Sequence, residues 1–557
     1  MGTAAVAQPF DVRGSTAVLA TLASAQFLMA LDSSVMNVSI ASVAEDLGTT
    51  VTGVQTAITL YTLVMAALMI TGGKLGALLG RRRMFVLGGL IYASGSLVTA
   101  LAPNLTVLIV GWSGLEGIGA ALIMPAVVAL VAGNFPSERR TSAYGMVAAA
   151  GAVAVAAGPI IGGAVTTSFS WRWVFAGEVV VALAIVSRAR SLADAPPEHR
   201  PKLDVVGALL SALGLSAVVL GFLRSSEWGW VAAKPGGPSV LGLSPVVWLV
   251  LGGLLVLWLL LRWEARVEER GEEPLIHRAH LRNRRLTGGL SLFGVQYFMQ
   301  AGVFFTIPLF LSIVLGLSAF ETGLRLLPLS IGLLATAIGV PRIFPAAAPR
   351  RAVRIGTFLM LAGTAVLIGG LEPGANAAIV SLPLLLIGLG IGTLASQLGA
   401  VVVSAVPEVE APEVGGLQNT VTNLGASLGT ALVGSMLIAA LTASLSQGIQ
   451  SNPDVPQSVK DQASVQMQSG VPFLSDEQLS GALADAGVGE SASDAIVEDN
   501  SEARYTGLRV ALSSVMLVGV LGLFLSGGLP GRPLAGSAGG AASPAERVRG
   551  DPAPRMA

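Results

Sequence analysis

The chain contains no cysteine, which excludes disulfides, thiolate nucleophiles and cysteine-ligated metals. Histidine is almost as scarce: His199, His277 and His280 are the only three, and all lie in charged loop sequence. No resident metal or other cofactor is expected, and His277-Arg278-Ala279-His280 reads as a solvated loop pair. Charge is the third scarcity. Asp, Glu, Lys and Arg make up 12% of the 557 residues, whereas a soluble domain averages roughly 25%. Net charge is zero, so the balance suggests no nucleic-acid partner. No cleavable leader is evident, because the first apolar run continues to about residue 41, too long for a signal's hydrophobic region.

Apolar sequence fills the space left. The chain is 53% hydrophobic with a mean hydropathy of +0.73, so its bulk belongs in lipid. Runs of about 20 apolar residues predict fourteen spans. Six lie at 16–41, 51–73, 84–102, 105–131, 142–165 and 173–188, two at 204–223 and 241–262. The last six lie at 287–315, 322–340, 353–371, 376–403, 418–445 and 506–527. With the N-terminus in the cytoplasm, 26 of the 33 Lys and Arg fall on the inner side and 7 on the outer. The excess of basic residues inside predicts that both termini are cytoplasmic. The inner loop from Glu408 to Glu413 is the exception, having no basic residue. The expected division is a cytoplasmic N-terminus (1–15), a six-helix bundle (16–190), two additional helices (204–262), a second six-helix bundle (287–528) and a disordered cytoplasmic tail (529–557). A polar outer segment (446–504), long enough for a short helix or two, interrupts the second bundle. The basic turn after the second span, Gly73 to Arg83, is echoed after the tenth, Pro341 to Arg354. The fifth span's glycines are echoed by Gly425, Gly429 and Gly434. Parallel repeats of this kind place a substrate site between two halves near the midplane.

Within the fifth span, Gly151, Gly158, Pro159, Gly162 and Gly163 stand out. Glycine lets helices approach closely, and a mid-helix proline bends one; ordinary small-residue packing is the plain alternative. Ionisable groups within spans are informative because each costs about 2.5–3.5 kcal/mol on insertion scales. Three acids lie at membrane depth, all in the first half. At 1.5 Å per residue, Glu116 is roughly 16 Å from the outer end of its helix, Asp32 roughly 15 Å and Glu178 roughly 8 Å. A carboxyl alternately wet and buried can take up and release a proton. Asp32 is the first candidate, with Ser33, Ser34 and Asn37 beside it in sequence. Glu116 is expected to be protonated at rest, and Glu178 to pair with Arg172 near the interface. In the ninth span, Gln296, Tyr297, Phe298, Met299, Gln300, Phe304 and Phe305 are candidates for an apolar, aromatic cavity wall.

Taken together, these residues resemble the major facilitator superfamily, and within it the fourteen-helix drug:proton antiporters of the QacA/EmrB type. Leu31 to Val38 is similar to the first-helix motif, and Gly73 to Arg83, including Gly80, Arg81 and Arg82, to the inner-loop motif. Gly151 to Gly163 is similar to the antiporter motif, and Trp171 to Phe175 to a string opening the sixth helix. Pro274-Leu275, Glu321 to Pro328 and Gly416 to Thr420 extend the match. The resemblance implies an all-α polytopic membrane protein of 14 helices, two six-helix bundles plus two extra central helices. It also implies a non-enzymatic, monomeric transporter in the cell membrane that exports a lipophilic compound, cationic or not, against proton entry. Asp32, Glu116, Glu178 and Asn37 would serve proton coupling or substrate binding. Three departures matter: Ala77 replaces the inner-loop acid, Ser113 the fourth-helix arginine, and Glu178 and Val180 an Asn and a Pro. They leave two alternatives open, a dedicated exporter of one natural product with altered coupling and a non-transporting sensor or scaffold.

Overall fold

The computed structural model describes residues 12–194, 203–234, 237–407, 410–467 and 471–533. His199, most of the expected N-terminus and the tail beyond 533 lie outside these residues, as does Glu408. Every predicted span is occupied by a helix. In chain order they are α1 (Val12–Asp46), α2 (Val51–Leu79), α3 (Arg81–Ala100), α4 (Leu105–Asn134), α5 (Ser137–Ser168), α6 (Arg172–Arg188), α7 (Val205–Trp228) and α8 (Pro245–Glu269). There follow α9 (Arg284–Val314), the bent pair Ala319–Arg325 and Leu327–Ile343 as α10, α11 (Pro349–Gly370), α12 (Ala377–Val403), α13 (Ala411–Ser451) and α14 (Glu490–Leu525). Twelve are long and apolar enough to cross a bilayer, and the pair bent by 40° makes thirteen. The remaining helix, α6, has 17 residues, about 25 Å at 1.5 Å per residue.

Helix ends follow local rules. Thr50 caps α2 through the Gly53 amide, Asn104 caps α4 through Val107, and Ser318 and Glu321 form a reciprocal capping box on α10. Gly80 joins α2 to α3 at φ +102°, a conformation that L side chains rarely adopt.

In the first half α1 packs on α5, α3 on α4 and α6, and α2 on α4. In the second, α10 and α11 pack on α12, α9 on α13, and α14 on both α9 and α13. The α7–α8 hairpin lies against α2 and α13. Its outer surface exposes Leu209, Leu213, Leu251, Leu254 and Trp258, an apolar skin suited to lipid. Within 446–504, the described residues form two short helices, Gln457–Gln466 and Asp476–Asp485. The second is held by an Arg504–Asp476 ion pair.

We call the side on which α1 begins basal and the other distal. On the distal side the halves meet backbone to backbone. A Cβ on Gly163 would strike the Ala319 carbonyl, and one on Gly323 would strike that of Pro159. The Thr167 hydroxyl accepts from Phe320 N–H at 3.0 Å, and Gln55 donates to the Thr430 carbonyl at 2.8 Å. The other fifth-span glycines face α1: a Cβ on Gly151 would sit 3.1 Å from Gln26 and one on Gly162 2.7 Å from Val35, while Gly158 abuts Ser34. The glycine-proline string therefore lets α5 lie between α1 and α10.

Candidate functional site

Asp32 on α1, Glu116 on α4 and Glu178 on α6 converge. One carboxylate oxygen from each lies within 4.8 Å of the other two, and all three residues are at most 2% exposed. Each takes one neutral donor: Trp112 Nε1 to Asp32 at 2.8 Å, Thr99 Oγ1 to Glu116 at 3.1 Å, and Tyr92 OH to Glu178 at 2.9 Å. The second oxygen of each has no hydrogen-bond partner. A widened, π-type stretch of α4, Ile109–Glu116, carries Trp112, Ser113 and Glu116 at this point; such local departures from the α-helix are frequent at functional sites. Small residues make the convergence possible, since a Cβ on Gly95 would sit 2.6 Å from the Glu116 side chain.

Two expectations are corrected here. Glu178 does not pair with Arg172: the guanidinium turns distally, pairs with Asp46 and donates to the Ala102 carbonyl at 2.8 Å. The sequence separation of six places the two residues about 1.7 turns apart along α6 and about 120° apart around it. Nor do Ser33, Ser34 and Asn37 serve Asp32. Asn37 donates back to the Ser33 carbonyl at 2.7 Å and Ser34 to Val155 at 3.3 Å, while Asp32 faces Trp112. Ser113, in place of the expected arginine, donates to the Ala57 carbonyl at 2.7 Å and ties α4 to α2.

A cavity of about 230 Å³ lies between the halves. Its first-half wall holds Gln26, Ser33, Ser34, Asn37, Tyr61, Thr62, Met65 and Trp112. Its second-half wall holds Tyr297, Gln300, Phe304, Asn419, Thr422, Asn423 and Thr430. Of the ninth-span candidates, Tyr297, Gln300 and Phe304 reach it, whereas Gln296, Phe298, Met299 and Phe305 are buried on the packed sides of α9. The α13 amides lie outside the sequence candidates, although Asn419 and Asn423, one turn apart within the thirteenth predicted span, are a readable signal.

Tyr61 and Trp112 belong to both features. Their rings stack with centroids 4.9 Å apart and 7° between planes. Both border the cavity, while the indole N–H points away from it to Asp32. This aromatic pair is the partition between the cavity and the acids.

At the basal end the inner-loop motif is held by backbone acceptors. Arg81 donates to Ala129 at 3.2 Å, Arg82 to Leu192 at 3.3 Å, and Lys74 to Pro274. Gly73 packs on Pro125, and a Cβ on Gly80 would lie 2.7 Å from Asp194.

The histidine pair is also corrected. His280 is 5% exposed and bonds Glu410 at 3.0 Å, and His277 bonds Glu413 at 2.9 Å. The basal loop without a basic residue of its own thus receives two imidazoles from another segment, a pairing invisible across about 130 residues of sequence.

A bundle of membrane-length helices in two contacting halves, enclosing a polar-aromatic cavity, defines a polytopic transporter. The fold matches solved transporters over nearly its whole length. A bacterial homologue of the human lysosomal transporter Spinster, inward-facing and unoccupied, aligns with a TM-score of 0.56 at 15% identity, covering 94% of this chain and 98% of that one. The human organic anion transporter MFSD10 aligns at 0.54 and 14% identity, covering 93% and 100%. The sequence profile of the Major Facilitator Superfamily matches residues 22–430, and the chain belongs to that family. Among curated relatives, the puromycin resistance protein pur8 of Streptomyces alboniger is 32% identical over 77% of this chain and 82% of its own. The tetracenomycin C resistance and export protein of Streptomyces glaucescens is 30% identical over 74% and 73%. A probable actinorhodin transporter of Streptomyces coelicolor is 29% identical over 80% and 77%.

Proposed function

We propose that this transporter exports lipophilic, drug-like compounds from the cell in exchange for protons. In this reading the chain sits in the cell membrane as a monomer with both termini in the cytoplasm. Residues 16–190 and 287–528 are its two moving bundles, with 204–262 packed between them, and it needs no cofactor. The observation that carries the reading is the stacked Trp112–Tyr61 partition, with a cavity of about 230 Å³ on one face and three buried carboxyls on the other.

The chemistry follows from that arrangement. Two unit charges about 4 Å apart repel by about 4 kcal/mol at an effective dielectric of 20, and the three acids have only neutral donors. The resting triad therefore holds protons between its oxygens and titrates as a unit. A compound stacking on the aromatic face presses Trp112 toward Asp32, and because the indole N–H stabilises the ionised carboxyl, the tighter bond favours release of a proton. Rocking of the halves about the α5–α10 crossing then exposes cavity and triad to the other side. Asn37, Gln300, Asn419 and Asn423 supply the few polar anchors that orient a largely apolar ligand.

Inside-out vesicles energised with an acid interior test this. Adding puromycin, tetracenomycin C or a lipophilic cation should dissipate the gradient in wild type but not in Asp32→Asn. A response to one compound alone would assign a dedicated natural-product exporter. A gradient unmoved by any compound, from vesicles holding folded protein, would overturn exchange.

A further inference from the structure

The segment between α8 and α9 is pinned from several sides. Lys74 at the basal end of α2 reaches the Pro274 carbonyl. Glu264 of α8 accepts the Leu275 N–H at 2.7 Å, and Asn283 donates to the Ala405 carbonyl at 2.7 Å. Between these points His277-x-x-His280 meets Glu410-x-x-Glu413 at the start of α13. His277 Nδ1 lies 2.9 Å from Glu413 Oε1. The buried His280 ring stands between the two carboxylates, Nε2 at 3.0 Å from Glu410 and Nδ1 at 4.0 Å from the same Glu413 oxygen. One donor atom each from His277, His280 and Glu413 lies within 4.8 Å of the other two.

We propose that His277, His280 and Glu413 form a binding site for a divalent transition-metal ion of the zinc class, with Glu410 as the carboxylate that orients His280. Two imidazoles and a carboxylate suit zinc, whereas calcium and magnesium favour all-oxygen sets. Glu410 takes the Nε2 hydrogen of His280 and so leaves the Nδ1 lone pair facing Glu413. That is the role an outer carboxylate plays toward a metal-binding histidine. Ligands at about 2.0–2.2 Å around a tetrahedral ion stand about 3.3 Å apart. The His277–Glu413 gap must open slightly and the His280–Glu413 gap close by less than 1 Å. The ion takes the place of the hydrogen between His277 Nδ1 and Glu413 Oε1, His277 then carrying its proton on Nε2, and water completes the coordination. The bound ion would staple the α8–α9 segment to the basal end of α13, the helix that brings Asn419 and Asn423 to the cavity. The site stands independently of the transport reading.

The chain has no cysteine and only one other histidine, so few sites compete. Full-length protein in detergent, its affinity tag removed, is equilibrated with Zn²⁺, desalted and assayed for metal per chain; Co²⁺ serves as a visible probe. Wild type should retain one equivalent of zinc and show cobalt absorption, and His277→Gln/His280→Gln should lose both. Glu410→Gln should weaken binding about 10–100-fold, with His199→Gln as the unchanged control. Wild-type retention no greater than that of the double histidine variant would overturn the site. So would metal that survives the double variant and leaves with Asp32→Asn. Monodisperse elution and unchanged helical circular dichroism establish that each variant is folded, and the single His277→Gln and His280→Gln variants replace any that is not.

Discussion

The two halves share a packing plan and differ in their chemistry. The first half buries Asp32, Glu116 and Glu178 together. Among the described residues 287–528, the buried polar groups are hydroxyls, amides and one arginine, Arg504, near the distal surface. The halves also differ at the cavity: the first presents the Trp112–Tyr61 face, the second the amides of α13 and the Tyr297 and Phe304 rings. A charge-bearing half set against a neutral, ligand-shaping half divides labour. On the proposed reading, proton occupancy would concern contacts inside one bundle, and ligand shape the seam between two.

The most severe break of that contrast is to remove the acids. Asp32→Asn combined with Glu116→Gln should reduce gradient-driven export at least 100-fold in the vesicle assay while leaving compound binding by intrinsic tryptophan quenching within about threefold. Retained gradient-driven export would place the charge-bearing function elsewhere. Next in size is the seam. Gly163→Val inserts carbon against the Ala319 carbonyl, and initial export rates should fall at least tenfold as the α5–α10 crossing opens. Trp112→Phe keeps a stacking ring and deletes the donor to Asp32, leaving a buried acceptor unsatisfied at about 1–3 kcal/mol. Export should fall several-fold and its pH profile should shift, whereas an unaltered profile would detach the partition from the acids. Phe304→Ala alters only the neutral half's wall, so the ranking of compounds should change by a few-fold with the pH profile intact. Smallest is Arg172→Gln, which breaks a partly exposed pair worth about 0–1 kcal/mol. Melting temperature should move slightly and export not at all, unlike the outcome expected had Arg172 held Glu178.

Residue patterns made much of this legible. The depth of each acid followed from counting along a helix, and the close approach of α5 to its neighbours followed from Gly151 to Gly163, since only glycine removes the Cβ that would keep helices apart. The convergence of Asp32, Glu116 and Glu178 was not legible, because depth is one coordinate and azimuth another. A π-type stretch of α4 further shifts the face on which Glu116 and Trp112 point, and periodicity cannot register it. Partner choice failed for the same reason at Glu178, where proximity in sequence suggested Arg172 and the fold supplied Tyr92.

Local residue patterns settle that this chain lives in a membrane, where its helices run and which few polar groups each must carry, because hydrocarbon penalises every charge and every unbonded backbone group locally. The tertiary structure alone decided which of those groups meet. Trp112 parts the acids from the cavity, Tyr297 and Gln300 face it while Phe298 and Met299 do not, and two histidines find two glutamates. Such meetings depend on helix rotation and crossing, which are set by packing summed over whole interfaces and by no single residue's preference.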